Sequence, residues 1–439
     1  MKFPRVPNAD NSFSYAANIN RIIAEAQITN GGPVILYQPE NEYTVGLPIL
    51  FPEGDYMQYV EDQARDAGIL VPFISNDAAP LGHNAPNSGE GAVDIYGHDS
   101  YPLGFDCASP SNWPALDLPT YFHATHEVES PSTPYSIDEF QAGSYDPWGG
   151  AGFDSCAALL NHEFERVFYK NNLAAGVKIL NLYMAYGGTN WGNIGYPGGY
   201  SSYDYGAAIA EDGRTLVREK YAELKLEANF LKVSPGYLTT HVGEATVGIY
   251  SSNLAITVTR LQSNETGDFY IVRHTDYSST SSTKYSLSLP ISPGNITVPF
   301  INVTIPWLPN TVTTGVLTLN GRDSKIIVTN YNVSGKNILY STAEIFTHQK
   351  YDNRTVVVVY SGGPNEINEL VLVTSAAPQT CDGPVVHTTT SGDGQIVSFA
   401  TVPGQRSVVQ FDDVYIYIMG KHPPVASTCS FFIYRPMLT

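Results

Sequence analysis

The sequence predicts a multidomain protein in which a parallel α/β region is followed by an antiparallel all-β region. The first observation is length, because 439 residues exceed one ordinary domain. The second is that short apolar runs alternate with helical patterns as far as residue 233, which is typical of βαβ units. The third is a change of composition, since residues 240–420 are rich in Thr, Val, Ile, Ser and Tyr and are divided by turn sequences.

Each element of the α/β region rests on its hydrophobic pattern. Nearly continuous apolar runs predict buried parallel strands at 33–39, 70–75, 92–97, 134–140 and 177–186. Amphipathic patterns predict helices at 14–27, 54–68, 156–171 and 215–232. The predicted domains are 1–233 for the α/β region, 234–411 for the all-β region and 412–439 for the start of a further β domain.

Charge and composition narrow the possible partners. The net charge of −19 disfavours nucleic acid and anionic lipid surfaces. No segment is apolar enough to cross a membrane. Charged residues make up only 15% of the chain, whereas it has 30 Tyr, 38 Gly and 30 Pro, a mixture typical of a rigid protein with many loops. We therefore expect neither nucleic acid nor membrane as a partner.

Sequons and cysteines indicate an extracellular protein. Five N-x-S/T sequons lie in one β-rich stretch, at Asn264, Asn295, Asn302, Asn332 and Asn353. Thr-rich strands also produce such triplets by chance. Four cysteines allow three pairings, of which Cys107–Cys156 with Cys381–Cys429 is one. The chain is expected to be secreted, although "MKFPRVPNADNSF" is not a signal peptide.

Acidic side chains gather where the predicted strands end. These are Glu40 and Glu42, then Asp99, then Asp138 and Glu139. The carboxyl ends of parallel strands meet at one edge, where the sites of α/β barrels lie. Aromatic residues accompany them, namely Tyr101, Tyr183, Trp148 and Trp191. Paired carboxylates with aromatic platforms favour glycosidic chemistry. A structural interpretation stays open, because acids at strand ends also cap helices.

The sequence patterns for a metal site, a phosphate site or a serine nucleophile are weaker. "HATHEVE" places His123 and His126 on a helical pattern, but the order of a zinc-protease motif is absent. The Gly-rich stretch 187–200 has no P-loop Lys, and no G-x-S-x-G occurs. We therefore expect no metal and no cofactor.

Three long motifs resemble fungal β-galactosidases of glycoside hydrolase family 35. They are "NGGPVILYQPENEY" (30–43), "SIDEFQAGSYDPWGG" (136–150) and "ILNLYMAYGGTNWGNIGYPGGYSSYDYGAAI" (179–209). The resemblance implies a (β/α)8 TIM-type barrel followed by β-rich domains. By this matching, residues 1–233 hold only barrel strands 4 to 8, and we expect a chain truncated at both ends.

The resemblance also implies roles for individual residues. Glu42 matches the acid/base and Glu139 the nucleophile of a retaining exo-β-galactosidase, which removes terminal galactose from oligosaccharides and polysaccharides. Asn41, Tyr101, Tyr183 and Tyr205 match residues of the galactose pocket. Cys107 and Cys156 match a family disulfide.

The resemblance implies no cofactor, and we expect a monomer. Three alternatives stay open: an inactive fragment, a sugar-binding pseudoenzyme, and another retaining glycosidase with glutamates on strands 4 and 7.

Overall fold

The computed structural model describes most of the chain, in sixteen stretches. They are residues 9–43, 53–78, 81–114, 118–119, 122–192, 194–196, 198–212, 218–263, 267–291, 294–299, 304–305, 312–313, 316–362, 366–383, 386–401 and 405–421. The chain divides into two units. The first unit comprises residues 1–101, 119–141 and 177–183, and the second unit comprises 102–118, 142–176 and 184–439.

A four-stranded parallel sheet forms the centre of the first unit. Its strands follow one another in chain order, as β1 (Ile74–Asp77), β2 (Ile95–Ser100), β3 (Ser136–Gln141) and β4 (Ile179–Tyr183). The helices of this unit are α1 (Ala9–Ala26), α2 (Gly54–Asp66) and α3 (Phe122–Glu129). This arrangement confirms the parallel α/β region that the alternating pattern predicts.

The core of the first unit is built on one face of α2. Met57 and Ala64 are seven residues apart, so they lie on the same side of the helix, and both are fully buried. They pack with Ile69, Val71 and Phe73, which lead into β1. The predicted helix at 54–68 and its apolar face are therefore present.

The predicted strand at 33–39 is wrong in extent. In the described part of the chain, its link to the sheet is a single parallel bridge between Tyr37 and Phe73. In this register the next ladder bonds need a backbone N–H from Pro39 on one side and from Pro72 of the opposite segment on the other, and proline has none. The segment forms a loop that is attached to the sheet at one point.

His98 of β2 is surrounded by aromatic side chains. Its side chain is 1% exposed, and its ring is within 5.2–6.5 Å of the rings of Tyr96, Phe122, His126 and Tyr135. No described group forms a hydrogen bond with either ring nitrogen. Burial, and then the charge of His126, lower the pKa of His98 to about 4. The folded protein therefore holds this imidazole neutral.

The stability of the fold should depend on pH through His98. Between pH 6.5 and about 4 the unfolded chain binds a proton here that the folded chain does not. The stabilising contribution is complete above pH 6.5 and is lost as the pH falls through this window. His98→Phe keeps the apolar contacts and cannot be protonated. In urea titrations at pH 7 and pH 4, the wild type should lose roughly 3 kcal/mol more unfolding free energy than the variant. Equal losses would contradict this.

In the second unit, the predicted helix 156–171 is broken into short pieces. These are α4 (Phe153–Leu159), α5 (His162–Phe164), a π-helical turn (Glu165–Tyr169) and α6 (Lys170–Ala174). Asn161 causes the break, because its side chain accepts hydrogen bonds from the backbone N–H groups of Glu163 and Phe164 and so starts a new helix. Helix α7 (Glu219–Val233) follows as one piece.

The remainder of the second unit is built of strands. They are β5 (His241–Val247), β6 (Ile256–Gln262), β7 (Asp268–His274), β8 (Thr283–Tyr285), β9 (Leu287–Pro290), β10 (Asn295–Val298), β11 (Thr304–Ile305), β12 (Val312–Thr313), β13 (Leu317–Leu319), β14 (Ser324–Val333), β15 (Lys336–Ser341), β16 (Glu344–Lys350), β17 (Thr355–Ser361), β18 (Ile367–Val373), β19 (Gln379–Asp382), β20 (His387–Ser391), β21 (Gly394–Ala400), β22 (Arg406–Phe411) and β23 (Val414–Gly420). The all-β region is confirmed.

Two large sheets organise these strands. One has the order β20-β21-β18-β15-β14-β7-β6-β5 and is antiparallel throughout. The other has the order β16-β17-β23-β22-β19, and its β17–β23 pair is parallel. The sequence predicted a boundary after residue 411, but β23 lies in the middle of this second sheet. The other predicted domain limits stay predictions.

The inner strands of the eight-stranded sheet are largely buried on both faces, whereas its edge strands β20 and β5 are largely exposed. Neighbouring residues of a strand point to opposite sides, so Phe269 packs with Val359 of the other sheet, whereas Tyr270 packs with Leu289 on the reverse face. This explains why its strands are apolar at consecutive positions and do not alternate with polar residues. Among the described residues, no helix is long and apolar enough to cross a membrane.

Buried ion pairs join the helices of the second unit to its sheets. The Lys170 ammonium, which is fully buried, lies 2.7 Å from the Glu344 carboxylate and donates to the carbonyl oxygen of Ser324. Glu223 of α7 pairs with Arg166 and with Lys421. Removing one partner of such a pair leaves a charge without compensation in a poorly solvated place.

Lys170→Met should therefore destabilise the protein strongly. The Glu344 carboxylate would lose its cation, at a cost of about 3–5 kcal/mol in the unfolding free energy. The control is Lys336→Met, which breaks an ion pair with Asp413 whose side chains are 36% and 40% exposed. This change should cost less than about 1 kcal/mol. Similar losses in the two variants, measured by chemical denaturation, would refute the proposed role of the buried pair.

Candidate active site

Polar side chains of the first unit meet where its parallel strands end. Asn76 lies in β1, Asp99 in β2 and Glu139 in β3. The register places Asp99 directly beside Glu139, after a shift between His98 and Asp99. Because parallel strands end at one edge, residues that are far apart in sequence become neighbours. Glu42 joins them from the loop that follows residue 39.

Three carboxyl groups come together at this edge. One oxygen from each of Glu42, Asp99 and Glu139 lies within 4.8 Å of the other two. None of the ion pairs among the described residues of the first unit involves any of the three. The closeness of the three groups means that each carboxyl disfavours ionisation of the other two.

The loop that carries Glu42 is held against β1 by Asn76. The Asn76 amide oxygen accepts from Gln38 Nε2 at 2.5 Å and from the Glu42 backbone N–H at 3.5 Å. Gln38 also donates to the side chain of Asn41 at 3.3 Å. Glu42 has a positive φ of 48°, which is uncommon for a residue other than Gly. Such strained residues cluster at functional sites, where the surrounding contacts hold them.

Glu139 is bonded by a tyrosine. The Tyr101 hydroxyl donates to Glu139 Oε2, and the ring of Tyr101 packs edge-on against Tyr183 with centroids 5.5 Å apart. Burial raises the pKa of Glu139, the hydrogen bond from Tyr101 lowers it, and the Glu42 charge raises it again. Burial and the Glu139 charge raise the pKa of Tyr101 well above its ordinary value, so its hydroxyl stays protonated and can donate.

Asp99 lies between the two glutamates in an environment that opposes ionisation. Asn76 Nδ2 donates to both of its oxygens, at 2.7 and 2.8 Å. Burial raises the pKa of Asp99 to about 9, the hydrogen bonds from Asn76 oppose this rise, and the neighbouring Glu42 and Glu139 carboxyl groups add to it.

The other acids near the strand ends have structural partners. Glu40 accepts a hydrogen bond from the Tyr56 hydroxyl at 2.6 Å. Asp138 is 5% exposed, and Ser136 donates to it. A Cβ at Gly97 would lie 2.3 Å from the Asp138 carboxyl, so glycine is required on the neighbouring strand. Neither acid belongs to the carboxyl cluster.

The structure brings together five of the residues that the sequence singled out. Glu42, Asn41, Asp99, Glu139 and Tyr101 meet in the first unit, and Tyr183 ends β4 beside Tyr101. Tyr205 belongs to the second unit, where it has a positive φ of 57° and packs on Tyr145 and Phe153. Trp148 and Trp191 are 75% and 85% exposed, also in the second unit.

The weaker constellations contribute no site among the described residues. His126 bonds to the carbonyl oxygen of Thr133 and stacks on Tyr135, and His123 pairs with Glu127 on the same helix. The structure contains the disulfide between Cys107 and Cys156, with Cα atoms 4.6 Å apart. Cys429 lies outside the described residues, so its pairing with Cys381 stays a prediction.

Two residues of the site were missed by the sequence reasoning, Asn76 and Gln38. The strand predicted at 70–75 stopped one residue short of Asn76, although polar residues directly after an apolar run were the signal used for the other strands. Gln38 was included in the predicted strand 33–39 as an element of structure only.

Two family models match the chain. The one described as "Glycosyl hydrolases family 35" covers residues 8–230, and "Beta-galactosidase, domain 2" covers residues 239–423. Among curated relatives, beta-galactosidase A of a Penicillium species is 54% identical over 93% of this chain. The Aspergillus oryzae protein of the same name is also 54% identical over 93% of this chain. The chain spans 40% of the length of each.

Among solved structures, a family 39 glycoside hydrolase from Bacteroides cellulosilyticus WH2 matches with a TM-score of 0.41 and 15% identity, over 74% of this chain and 64% of that chain. A likeness of this size supports no argument about the site. The family match over residues 8–230 contains the whole carboxyl cluster and confirms the resemblance carried by the three motifs. The chain therefore belongs to glycosyl hydrolase family 35.

Proposed function

We propose that this chain carries the catalytic carboxyl pair of a retaining exo-β-galactosidase, which removes terminal non-reducing β-D-galactose from oligosaccharides and polysaccharides. The observation that carries the proposal is the spacing of Glu42 and Glu139, whose nearest carboxyl oxygens lie within 4.8 Å. Inverting enzymes need about 6.5–9.5 Å between these groups to admit a water molecule, whereas retaining enzymes need roughly 5 Å. The relatives named beta-galactosidase A support the choice of sugar.

The proposed reaction has two displacements. In the first, Glu139 attacks the anomeric carbon while Glu42 gives its proton to the departing glycosidic oxygen, which forms a glycosyl ester on Glu139. In the second, Glu42 accepts a proton from water, the water oxygen attacks the anomeric carbon, and the Glu139 carboxylate leaves. Both carboxyl groups end as they began, so the cycle balances without a cofactor.

The neighbouring groups fit these two roles. Tyr101 donates to the Glu139 carboxylate, which is the form that must attack and the form that must leave. Asn41 lies on the same loop as Glu42, and we assign it the 2-hydroxyl of the sugar. Tyr183 and Tyr205 are assigned to the galactose pocket from the family resemblance.

Replacing the nucleophile should abolish turnover. Glu139→Gln removes the attacking carboxylate, so hydrolysis of a nitrophenyl β-galactoside should fall roughly 10³-fold or more. With wild type, proton NMR should detect the β-anomer of galactose as the first product. A first product with the α-configuration would overturn the retaining mechanism. A folded wild-type chain that binds galactose but hydrolyses no galactoside would be a sugar-binding protein and not an enzyme.

The matched control for the acid/base is the neighbouring glutamate. Glu42→Gln should lose most activity, whereas Glu40→Gln should keep it, because Glu40 bonds to Tyr56 away from the cluster. Added azide should restore turnover of Glu42→Gln and yield β-galactosyl azide, since azide needs no general base. Equal losses in the two variants would contradict the assignment.

Tyr101→Phe should shift the acid limb of the pH profile of kcat/KM to higher pH. The lost hydrogen bond lowers the pKa of Glu139 in the wild type, so without it Glu139 ionises at a higher pH. Activity that needs the ionised nucleophile is then lost earlier as the pH falls. Tyr56→Phe is the control, because its hydroxyl bonds Glu40 instead. An unmoved acid limb in Tyr101→Phe would count against the role of this bond.

We further propose that the protein is a secreted glycoprotein. Of the sequon asparagines, Asn295, Asn332 and Asn353 are exposed, as glycan attachment requires, and Asn264 and Asn302 lie outside the described residues. A peptide N-glycosidase should reduce the mass of protein secreted from a fungal host. An unchanged mass would contradict glycosylation.

A further inference from the structure

Lys220, in the first turn of α7, is a buried lysine that takes part in no ion pair among the described residues. It is 1% exposed. The buried lysines Lys170 and Lys325 each meet a glutamate carboxylate, which accounts for their burial. Lys220 instead donates to two backbone carbonyl oxygens, to that of Ala142 at 2.7 Å and to that of Gly206 at 2.9 Å. Burying an amino group without an ion-pair partner costs free energy, so its role must lie in these two contacts.

The two carbonyl groups belong to segments that are important for the proposed site. Ala142 directly follows β3 and is the third residue after Glu139. Gly206 directly follows Tyr205, which is assigned to the galactose pocket. Both segments belong to the second unit. The side chain of Lys220 therefore joins the end of the nucleophile strand to the backbone beside Tyr205.

The same two segments also contact each other directly. The Ser144 backbone N–H donates to the Tyr205 carbonyl oxygen at 2.9 Å. A Cβ at Gly143 would lie 3.0 Å from the Cβ of Tyr205, so the backbones are close. Tyr205 and Gly206 both have a positive φ, of 57° and 67°. For Tyr205 this conformation costs about 1–2 kcal/mol, so it persists only where surrounding contacts hold it.

Arg218 holds the same backbone from the residue just before α7. Its Nη1 donates to the carbonyl oxygen of Ala207 at 2.8 Å and lies 2.7 Å from Asp204 Oδ1. That carboxylate oxygen accepts from the Gly206 backbone N–H at 3.0 Å. Contacts from the start of α7 therefore reach the residues on both sides of Tyr205.

We propose that Lys220 and Arg218 are positioning residues that hold Tyr205 in the galactose pocket by fixing its backbone against the segment that follows the nucleophile strand. This inference rests on the proposed function, which assigns Tyr205 to that pocket. Both residues act through the backbone on either side of Tyr205. Their loss should weaken the binding of the sugar more than the chemical step.

The kinetic test is Lys220→Met, which keeps the apolar stem and removes both hydrogen bonds. KM for a nitrophenyl β-galactoside should rise roughly 10-fold with kcat within about threefold of wild type, because a binding contact is lost and the two carboxyl groups are unchanged. The matched control is Lys232→Met, an exposed lysine in the last turn of the same helix, which should change neither value. An unchanged KM in Lys220→Met, or the same rise in both variants, would overturn the inference.

A double-mutant cycle tests whether Lys220 acts through Tyr205. Tyr205→Phe should raise KM by itself. If Lys220 serves to place Tyr205, the double variant should have a KM close to that of the weaker-binding single variant, since the two changes remove the same interaction. A KM in the double variant equal to the product of the two single effects would overturn the inference, because a merely structural role for Lys220 predicts independent effects.

Amide hydrogen exchange gives a readout that needs no substrate. In Lys220→Met the amides of Ser144 and Gly206 should exchange about 10-fold faster or more, whereas that of Ile271 in the eight-stranded sheet should be unchanged. Faster exchange at all three amides would indicate a general loss of stability and would contradict a positioning role. If Lys220→Met does not fold, Arg218→Gln serves as the second variant, since the Arg218 side chain is 15% exposed, and the Gly206 amide should again exchange faster.

The exchange measurement keeps this inference distinct from the proposed function. Unchanged exchange at Ser144 and Gly206 overturns the inference even if galactosides are hydrolysed. Faster local exchange in a folded chain whose wild type neither binds galactose nor hydrolyses a galactoside overturns the proposed function and, with it, the role of Lys220 and Arg218 in the pocket.

Discussion

The carboxyl groups of Glu42, Asp99 and Glu139 cannot all be ionised where the chain places them. They lie within 4.8 Å of one another with no described cation beside them, so at least one must carry a proton. The other side chains of the site stabilise the carboxyl groups by hydrogen bonds. Asn76 and Tyr101 supply neutral hydrogen-bond donors, which support the carboxyl groups without cancelling their charge.

Several buried acids of the second unit are instead paired with cations. Glu344 and Glu366 each meet a lysine ammonium, at 2.7 and 2.5 Å, and Glu223 meets both an arginine and a lysine. The Lys170–Glu344 pair joins a helix to a sheet, and the Lys325–Glu366 pair joins strand β14 to the residue before β18. A paired carboxylate is suited to structure, whereas an unpaired carboxyl that can take up a proton is suited to acid–base chemistry.

Local signals account for much of the fold. The amphipathic pattern of 54–68 gives α2, and the apolar run of 134–140 gives β3 within two residues, since in both cases period and burial agree. Predictions were wrong where tertiary contacts outweigh the pattern. Residues 33–39 are apolar enough for a strand but are limited by two prolines, and the pattern of 156–171 is interrupted because the Asn161 side chain caps a new helix.

The sequence by itself determined the family and singled out the two glutamates that we propose as the catalytic pair, because Asn41–Glu42 and Glu139 lie in long motifs that are read residue by residue. Only the tertiary structure decided that Asp99 lies beside Glu42 and Glu139 and that Asn76 holds the loop. These contacts depend on a register shift between β2 and β3 and on the positive φ of Glu42. Both result from the packing of segments far apart in the chain, so no local pattern contains them.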